Sequence, residues 1–148
     1  MSDKVVVQLL KEMGPKEIQT ISPEATAQEA AFLMKTKGVG ALVVVEDGKV
    51  VGIVSERDNS NKVVALDKRG SEIKVSEIMT TKVESVGLTT NLEECEERME
   101  RLHIRHLPVI DKGSLIGIVS IRDLLVSTRE EEKQLVDHLK HFIGGPGG

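Results

Sequence analysis

Seven residues occur twice in this chain, as Gly52-Ile53-Val54-Ser55-Glu56-Arg57-Asp58 and as Gly117-Ile118-Val119-Ser120-Ile121-Arg122-Asp123. Six of the seven positions are identical, and the offset is constant (120 − 55 = 65). A short apolar run with β-branched residues favours a strand. Ser followed three residues later by Asp is a helix-start signal, because hydroxyl and carboxylate can satisfy free N–H groups of the first turn. Each copy therefore reads as a corner where a strand ends and a helix begins. A cap alone does not account for Arg57 and Arg122, which fall in the first turn, where the helix dipole disfavours a cation by about 0.3–1 kcal/mol. A bound phosphate at the same place would reverse that sign.

The duplication extends well beyond the corner. Aligned without a gap, residues 18–58 and 83–123 share 11 of 41 positions, including Glu29/Glu94, Met34/Met99, Leu42/Leu107, Val44/Val109 and Gly48/Gly113. The first copy reads as a strand at Ile18 to Ile21, then a capping box Thr26-x-x-Glu29 heading a helix with Ala27, Ala30, Ala31 and Met34 on one face, closed by Gly38 and Gly40. Strands at 41–45 and 50–54 follow, joined at Glu46-Asp47-Gly48-Lys49, a hairpin signature. Ser55 then opens a helix running to Leu66. The second copy repeats the order: a strand at Val83 to Val86, a box Asn91-x-x-Glu94, a helix face of Leu92, Cys95, Met99 and Leu102, strands at 107–110 and 115–119 around Asp111-Lys112-Gly113-Ser114, and a helix from Ser120. Shared turn, cap and core positions in register indicate internal duplication. Each β-α-β-β-α half is too small to cover both faces of its own sheet, so an α+β fold of two repeats packed with pseudo-twofold symmetry is expected. The division is placed at 1–70 and 71–148. A short helix over Val5 to Met13 opens the first repeat, Val75 to Met79 echoes it before the second, and the polar stretch 67–74 is the linker candidate. A final helix over Glu130 to Ile143 carries Leu135, Leu139 and Phe142 on one stripe, with Gly144-Gly145-Pro146-Gly147-Gly148 as its stop.

Composition limits what such a pair can do. The chain has 148 residues and a formal charge of −4, which argues against sequence-independent nucleic-acid binding. Cys95 is the only cysteine, so an intramolecular disulfide is excluded and a reducing, cytoplasmic setting is expected. No apolar run reaches membrane-spanning length, and the first residues carry no signal-peptide pattern. Tyr and Trp are absent and Phe occurs twice, at Phe32 and Phe142, so a purine would have to lie on aliphatic side chains with backbone groups reading its edge.

A β-α-β-β-α unit ending in Gly-hydrophobic-hydrophobic-Ser/Thr-x-x-Asp, present twice, resembles a tandem pair of cystathionine β-synthase (CBS) domains, a Bateman module. Val75-Ser76-Glu77-Ile78-Met79-Thr80 and Arg105-His106-Leu107-Pro108-Val109 resemble further segments of that family, and the layout is similar to stand-alone single-module CBS proteins. The resemblance implies a regulatory, non-enzymatic module that binds an adenosine-containing small molecule (AMP, ADP or ATP) in clefts between the repeats, with no obligatory cofactor. It implies a homodimer and a regulated partner protein. The motif carboxylates Asp58 and Asp123 would take the ribose hydroxyls, Ser55 and Ser120 would lie near the phosphate, and Arg57 and Arg122 would add charge. Ile18 and Thr20 in one repeat, and Thr80, Lys82 and Val83 in the other, would line the base and phosphate sides. Val39, Gly40 and Ala41, or Ile104, Arg105 and His106, would present backbone to the adenine. Repeat 2 offers Lys82, Arg105 and His106 where repeat 1 has Glu17, Gly40 and Ala41, so the second site is expected to hold phosphate more tightly. Asn59-Ser60-Asn61 departs from the family pattern, in which a Tyr and an Arg are common there.

Other readings of the same residues stand beside these. Ser-x-x-Asp is a helix cap on spacing alone, and a duplication copies a cap as readily as a site. His103-x-x-His106 and His138-x-x-His141 have helical metal spacing and no evident third ligand, so solvated or packed imidazoles are expected. Cys95 falls on a core stripe and reads as a buried thiol. Glu93, Glu94, Glu96 and Glu97 read as a solvated first turn. A scaffold subunit with vestigial clefts is the alternative function.

Overall fold

The computed structural model describes residues 3–144. In order, the elements are α1 (Val6–Met13), β1 (Thr20–Ile21), α2 (Ala27–Lys37), β2 (Ala41–Glu46), β3 (Lys49–Ser55), α3 (Glu56–Asp58), a π-helical turn at Asn59–Val63, α4 (Val64–Leu66), a 3-10 turn at Gly70–Glu72, α5 (Val75–Ile78), α6 (Leu92–Leu102), β4 (His106–Asp111), β5 (Ser114–Ser120) and α7 (Ile121–Gly144). β1, β2 and β3 form one sheet in that order, β1 parallel and β3 antiparallel to β2, and β4 and β5 form a two-stranded sheet.

Equivalent positions of the repeats adopt the same local geometry. Both helices after the first strand position end in a left-handed residue, Gly38 (φ 67°) and His103 (φ 54°), 65 positions apart. Val39 N–H donates to Met34 O and Ile104 N–H to Met99 O, each at 3.0 Å. Both hairpins turn through two residues of positive φ, Asp47-Gly48 (51°, 76°) and Lys112-Gly113 (50°, 81°), matching the handed twist of paired strands. In the first, Glu46 faces Lys49, so the loop is two residues long, and a bulge at Val51 shifts the register between Val44 and Val45.

Contacts divide the chain into two compact units, one reaching to Pro15 with Val86–Leu107 and residues from Val119 onward, the other Lys16–Ser85 with Pro108–Ile118. Each unit joins a repeat's long helix to the lead-in helix of the other repeat. In the second unit Val75 N–H donates to Ala25 O (2.7 Å), Ser76 N–H to Pro23 O (3.0 Å) and Ala27 N–H to Ile73 O (2.8 Å). In the first unit the same three bonds recur as Val6 to Thr90 (2.9 Å), Val7 to Leu88 (2.9 Å) and Leu92 to Lys4 (3.0 Å). The acceptors or helix starts are again 65 apart (90 − 25), whereas the lead-ins are 69 apart (75 − 6).

The core of the second unit is Ala27, Ala30, Met34, Leu42, Val44, Val54, Ile73, Val75 and Ile78. In the first unit Val6, Leu9, Leu92, Cys95, Met99 and Leu124 are buried, with α1 and α6 both packed on α7.

Four expectations need correcting. The stretch 67–74 is not a linker: Ile73 is fully buried and its carbonyl holds the start of α2. Val83 to Val86 forms no strand run, because Val83 N–H turns back to Thr81 O (3.0 Å). Ala31 is exposed rather than on the core face of α2. The helix from Ser120 and the tail helix are one, 24 residues long. The expected stop at Gly144 to Gly148 lies almost wholly outside the described residues, as does the side chain of Phe142. Among the described residues no helix is long and apolar enough to cross a membrane.

Candidate functional site

The first corner is assembled by the sheet. Ala41 pairs with Ser55 across the β2–β3 ladder, Thr20 pairs with Val43, and Glu56 N–H, the first of α3, donates to Gly40 O (3.0 Å). These contacts bring the segments carrying Ile18 and Thr20, Val39 to Ala41, and Ser55 to Asp58 into one neighbourhood. Ala41 is buried, so only its backbone can face a ligand. The expected box is present: Ser55 N–H donates to Asp58 Oδ2 (2.9 Å) and Asp58 N–H to Ser55 Oγ (3.2 Å), while the hydroxyl also donates to Asp58 Oδ2 (3.1 Å). The other carboxylate oxygen, Oδ1, is held by Lys62 Nζ (3.0 Å) one helical turn on, and that ammonium also donates to Ile78 O (2.8 Å). Asp58 is thus engaged at both oxygens.

The second corner differs at that one point. Ser120 N–H donates to Asp123 Oδ2 (2.8 Å) and Asp123 N–H to Ser120 Oγ (3.1 Å). Ile121 N–H donates to Arg105 O (2.9 Å), the counterpart of Glu56 to Gly40. The position equivalent to Lys62 is Ser127 (62 + 65), which is buried and bonds to Lys4 Nζ (3.1 Å) and Glu12 Oε2 (3.3 Å) instead. Among the described residues, Oδ1 of Asp123 carries no ion pair. Ile104 and His106 are half-buried, and Arg105 and Arg122 are exposed. The 2.7 Å Lys4–Glu12 pair, with Glu131 at 3.6 Å, raises the ammonium pKa, chiefly through the Glu12 hydrogen bond.

Thr80, Lys82 and Val83 lie on the segment after α5. Thr80 is tied to β3 by two backbone bonds, Thr80 N–H to Ile53 O (2.9 Å) and Ile53 N–H to Thr80 O (3.0 Å), leaving its hydroxyl as the group it can offer. A Cβ on Gly52 would stand 2.7 Å from Met79 Sδ and 3.0 Å from Thr80 O, so this motif glycine is what lets the segment approach β3.

The Asn91 cap is made, to Glu93 N–H (2.7 Å), but not as a box: Glu94 instead pairs with Arg98 (2.8 Å). Cys95 is buried, and desolvation pushes its thiol from 9.0 up to about 11. His138 and His141 are exposed, and the described residues contain no cluster of three metal-ligating groups. The sequence reading missed Lys62, although the Asp58/Lys62 spacing of four on a helix is a recognisable signal.

A repeated strand-to-helix corner with a capped carboxylate in each copy defines a duplicated domain of one family. The CBS domain family model matches residues 10–58 and 75–129, and the chain belongs to the CBS domain family. It is 37% identical over 123 residues to the CBS domain-containing protein YhcV of Bacillus subtilis, covering 83% of this chain and 87% of that one. A protein with CBS domains from Burkholderia ambifaria superposes with a TM-score of 0.81 at 41% identity, covering 84% of this chain and 93% of the other. A CBS domain protein of Pyrobaculum aerophilum, solved in complex with AMP, has a TM-score of 0.70 at 28% identity, covering 81% and 89%.

Proposed function

We propose that the chain is a non-enzymatic regulatory module, with repeats dividing at residue 70, that binds an adenosine nucleotide of the AMP, ADP or ATP type at its motif corners. Occupancy is passed to a partner protein or to the chain's own homodimer by shifting the balance between conformations. The observation that carries the reading is Asp123, positioned by a helix start and with one carboxylate oxygen unclaimed, the arrangement a vicinal diol needs in order to donate to a charge. The AMP complex of the Pyrobaculum relative supports the ligand class. Ser120, Arg122 and Asp123, with Ile104, Arg105 and His106 and with Thr80, Lys82 and Val83, are the residues of the principal site. Ser55, Arg57 and Asp58, with Ile18, Thr20, Val39, Gly40 and Ala41, are those of the lesser one.

Calorimetric titration with AMP, ADP, ATP, NADH and S-adenosylmethionine tests the proposal. At least one adenosine ligand should bind and be returned unchanged. Asp123→Ala should weaken binding by about 1.5–3 kcal/mol, the scale of a hydrogen bond to a charged group, and Asp58→Ala by less. The absence of heat from every ligand at millimolar concentration would remove the proposal. The second reading, a scaffold subunit with vestigial clefts, is favoured by Asp58 being fully engaged by Ser55 and Lys62. Equal, negligible effects of the two substitutions would support it.

A further inference from the structure

A groove of about 800 Å³ opens on the second unit, and none of its lining residues belongs to the nucleotide corners. Its walls are α2 on one side, the helix after Ser55 on the other, and the turn at Arg69-Gly70-Ser71 across one end. Ala27, Ala31, Met34 and Val63 give it an aliphatic surface. The exposure of Ala31 and the polar-looking stretch after Asp67, both at odds with the sequence reading, have the groove as their common structural setting.

Charge of both signs lines this surface. Lys35 and Arg69 are cations, Glu56 is an anion, and among the described residues none of the three is in a salt bridge. The helix wall is π-helical from Asn59 to Val63, a local widening that recurs at functional sites. Asn59, at the start of that turn, donates from Nδ2 to Ala27 O (3.2 Å), yet its Oδ1 is buried without any hydrogen-bond partner. Buried acceptors without a donor are rare in folded proteins and call for a reason. The oxygen is covered by its own surroundings, so an occupant must draw the amide round about its terminal torsion, which is soft.

We infer that this groove is a second ligand site, for a small aliphatic zwitterion of the amino-acid or dipeptide class. The ammonium supplies the donor that Asn59 Oδ1 lacks and faces Glu56; the carboxylate is taken by Arg69 and Lys35; the aliphatic side chains lie on Ala27, Ala31, Met34 and Val63. With no aromatic side chain in the lining, an aliphatic ligand body matches the walls better than a planar one. The site stands independently of the nucleotide corners, and the failure of either would leave the other untouched.

Methionine-methyl NMR reads the site directly, because Met34 is the methionine in the lining, while Met79 and Met99 lie elsewhere and report on folding. L-leucine and L-leucyl-L-leucine are the probes. Saturable movement of the Met34 resonance, with Met79 and Met99 unmoved, is expected. Asn59→Ala and Arg69→Gln should each weaken binding by roughly tenfold or more. Arg69→Gln disturbs no observed hydrogen bond, so it remains informative if Asn59→Ala misfolds. Asp123→Asn should leave the titration unchanged. A Met34 signal that stays still to about 10 mM probe would overturn the inference. So would equal affinities in both groove variants, or movement that follows protein concentration alone, which would mean that a second copy of the chain covers the groove.

Discussion

Asp58 and Asp123 occupy the same place in two copies of one motif, and a single neighbour four residues on separates their chemistry. Lys62 neutralises Asp58, whereas Ser127 leaves Asp123 with a free oxygen. Removing the ammonium should therefore return ligand capacity to the first corner: in an Asp123→Ala background, Lys62→Ala is expected to raise nucleotide affinity measured by calorimetry, and a further loss would show that Lys62 binds the ligand itself. The buried thiol of Cys95 makes a separate prediction. Its folded pKa lies above its unfolded one, so the protonated thiol favours the fold fully below about pH 9, and this contribution is lost as pH rises toward about 11. The urea midpoint of the native protein should fall over that interval more than that of Cys95→Ala, and parallel curves would contradict the burial argument. At this scale the sequence was most readable where a bond closes within a few residues. Thr26-x-x-Glu29 and both Ser-x-x-Asp boxes form as their spacing requires. Asn91-x-x-Glu94 does not, because Arg98 competes for the glutamate from the other direction.

Among the elements, the two hairpins were legible because Asp-Gly and Lys-Gly between β-branched runs leave few alternatives for the turn. Thr20 and Ile21 keep a short strand by pairing with β2, but the equivalent residues before Val86 do not, and nothing local distinguishes Ile-Gln-Thr-Ile from Val-Glu-Ser-Val in that respect. The π-helical turn was likewise unreadable, since its residues would fit an ordinary helix and only the packing around Asn59 selects the wider one. Gly52 shows how an element depends on a missing side chain. Gly52→Ala is expected to push Met79 and Thr80 off β3 and to destabilise the protein by about 1–3 kcal/mol, the usual cost of overpacking, read by urea unfolding together with faster exchange of the Thr80 amide. Full protection of that amide in the variant would mean that the methionine side chain alone makes room.

For the whole molecule, α7 carries an apolar stripe that nothing in the described chain covers: Leu135 and Leu139 are 58% and 46% exposed. If the proposed homodimer uses it, Leu135→Glu with Leu139→Glu should shift sedimentation from dimer to monomer, while unchanged sedimentation would place the contact elsewhere. The family and the repeat were legible because identical residues recur at one spacing. Which helix covers which was not, since that pairing joins residues some 50 to 86 positions apart and leaves no local trace. It carries a historical consequence. Because Val6 and Val7 complete the second repeat's helix start, and Val75 and Ser76 complete the first's, a crossover between the copies would strand both halves without a closing segment. What recombination can move intact from one protein to another is the pair; a lone repeat would arrive with its long helix uncapped and its lead-in helix with nothing to close.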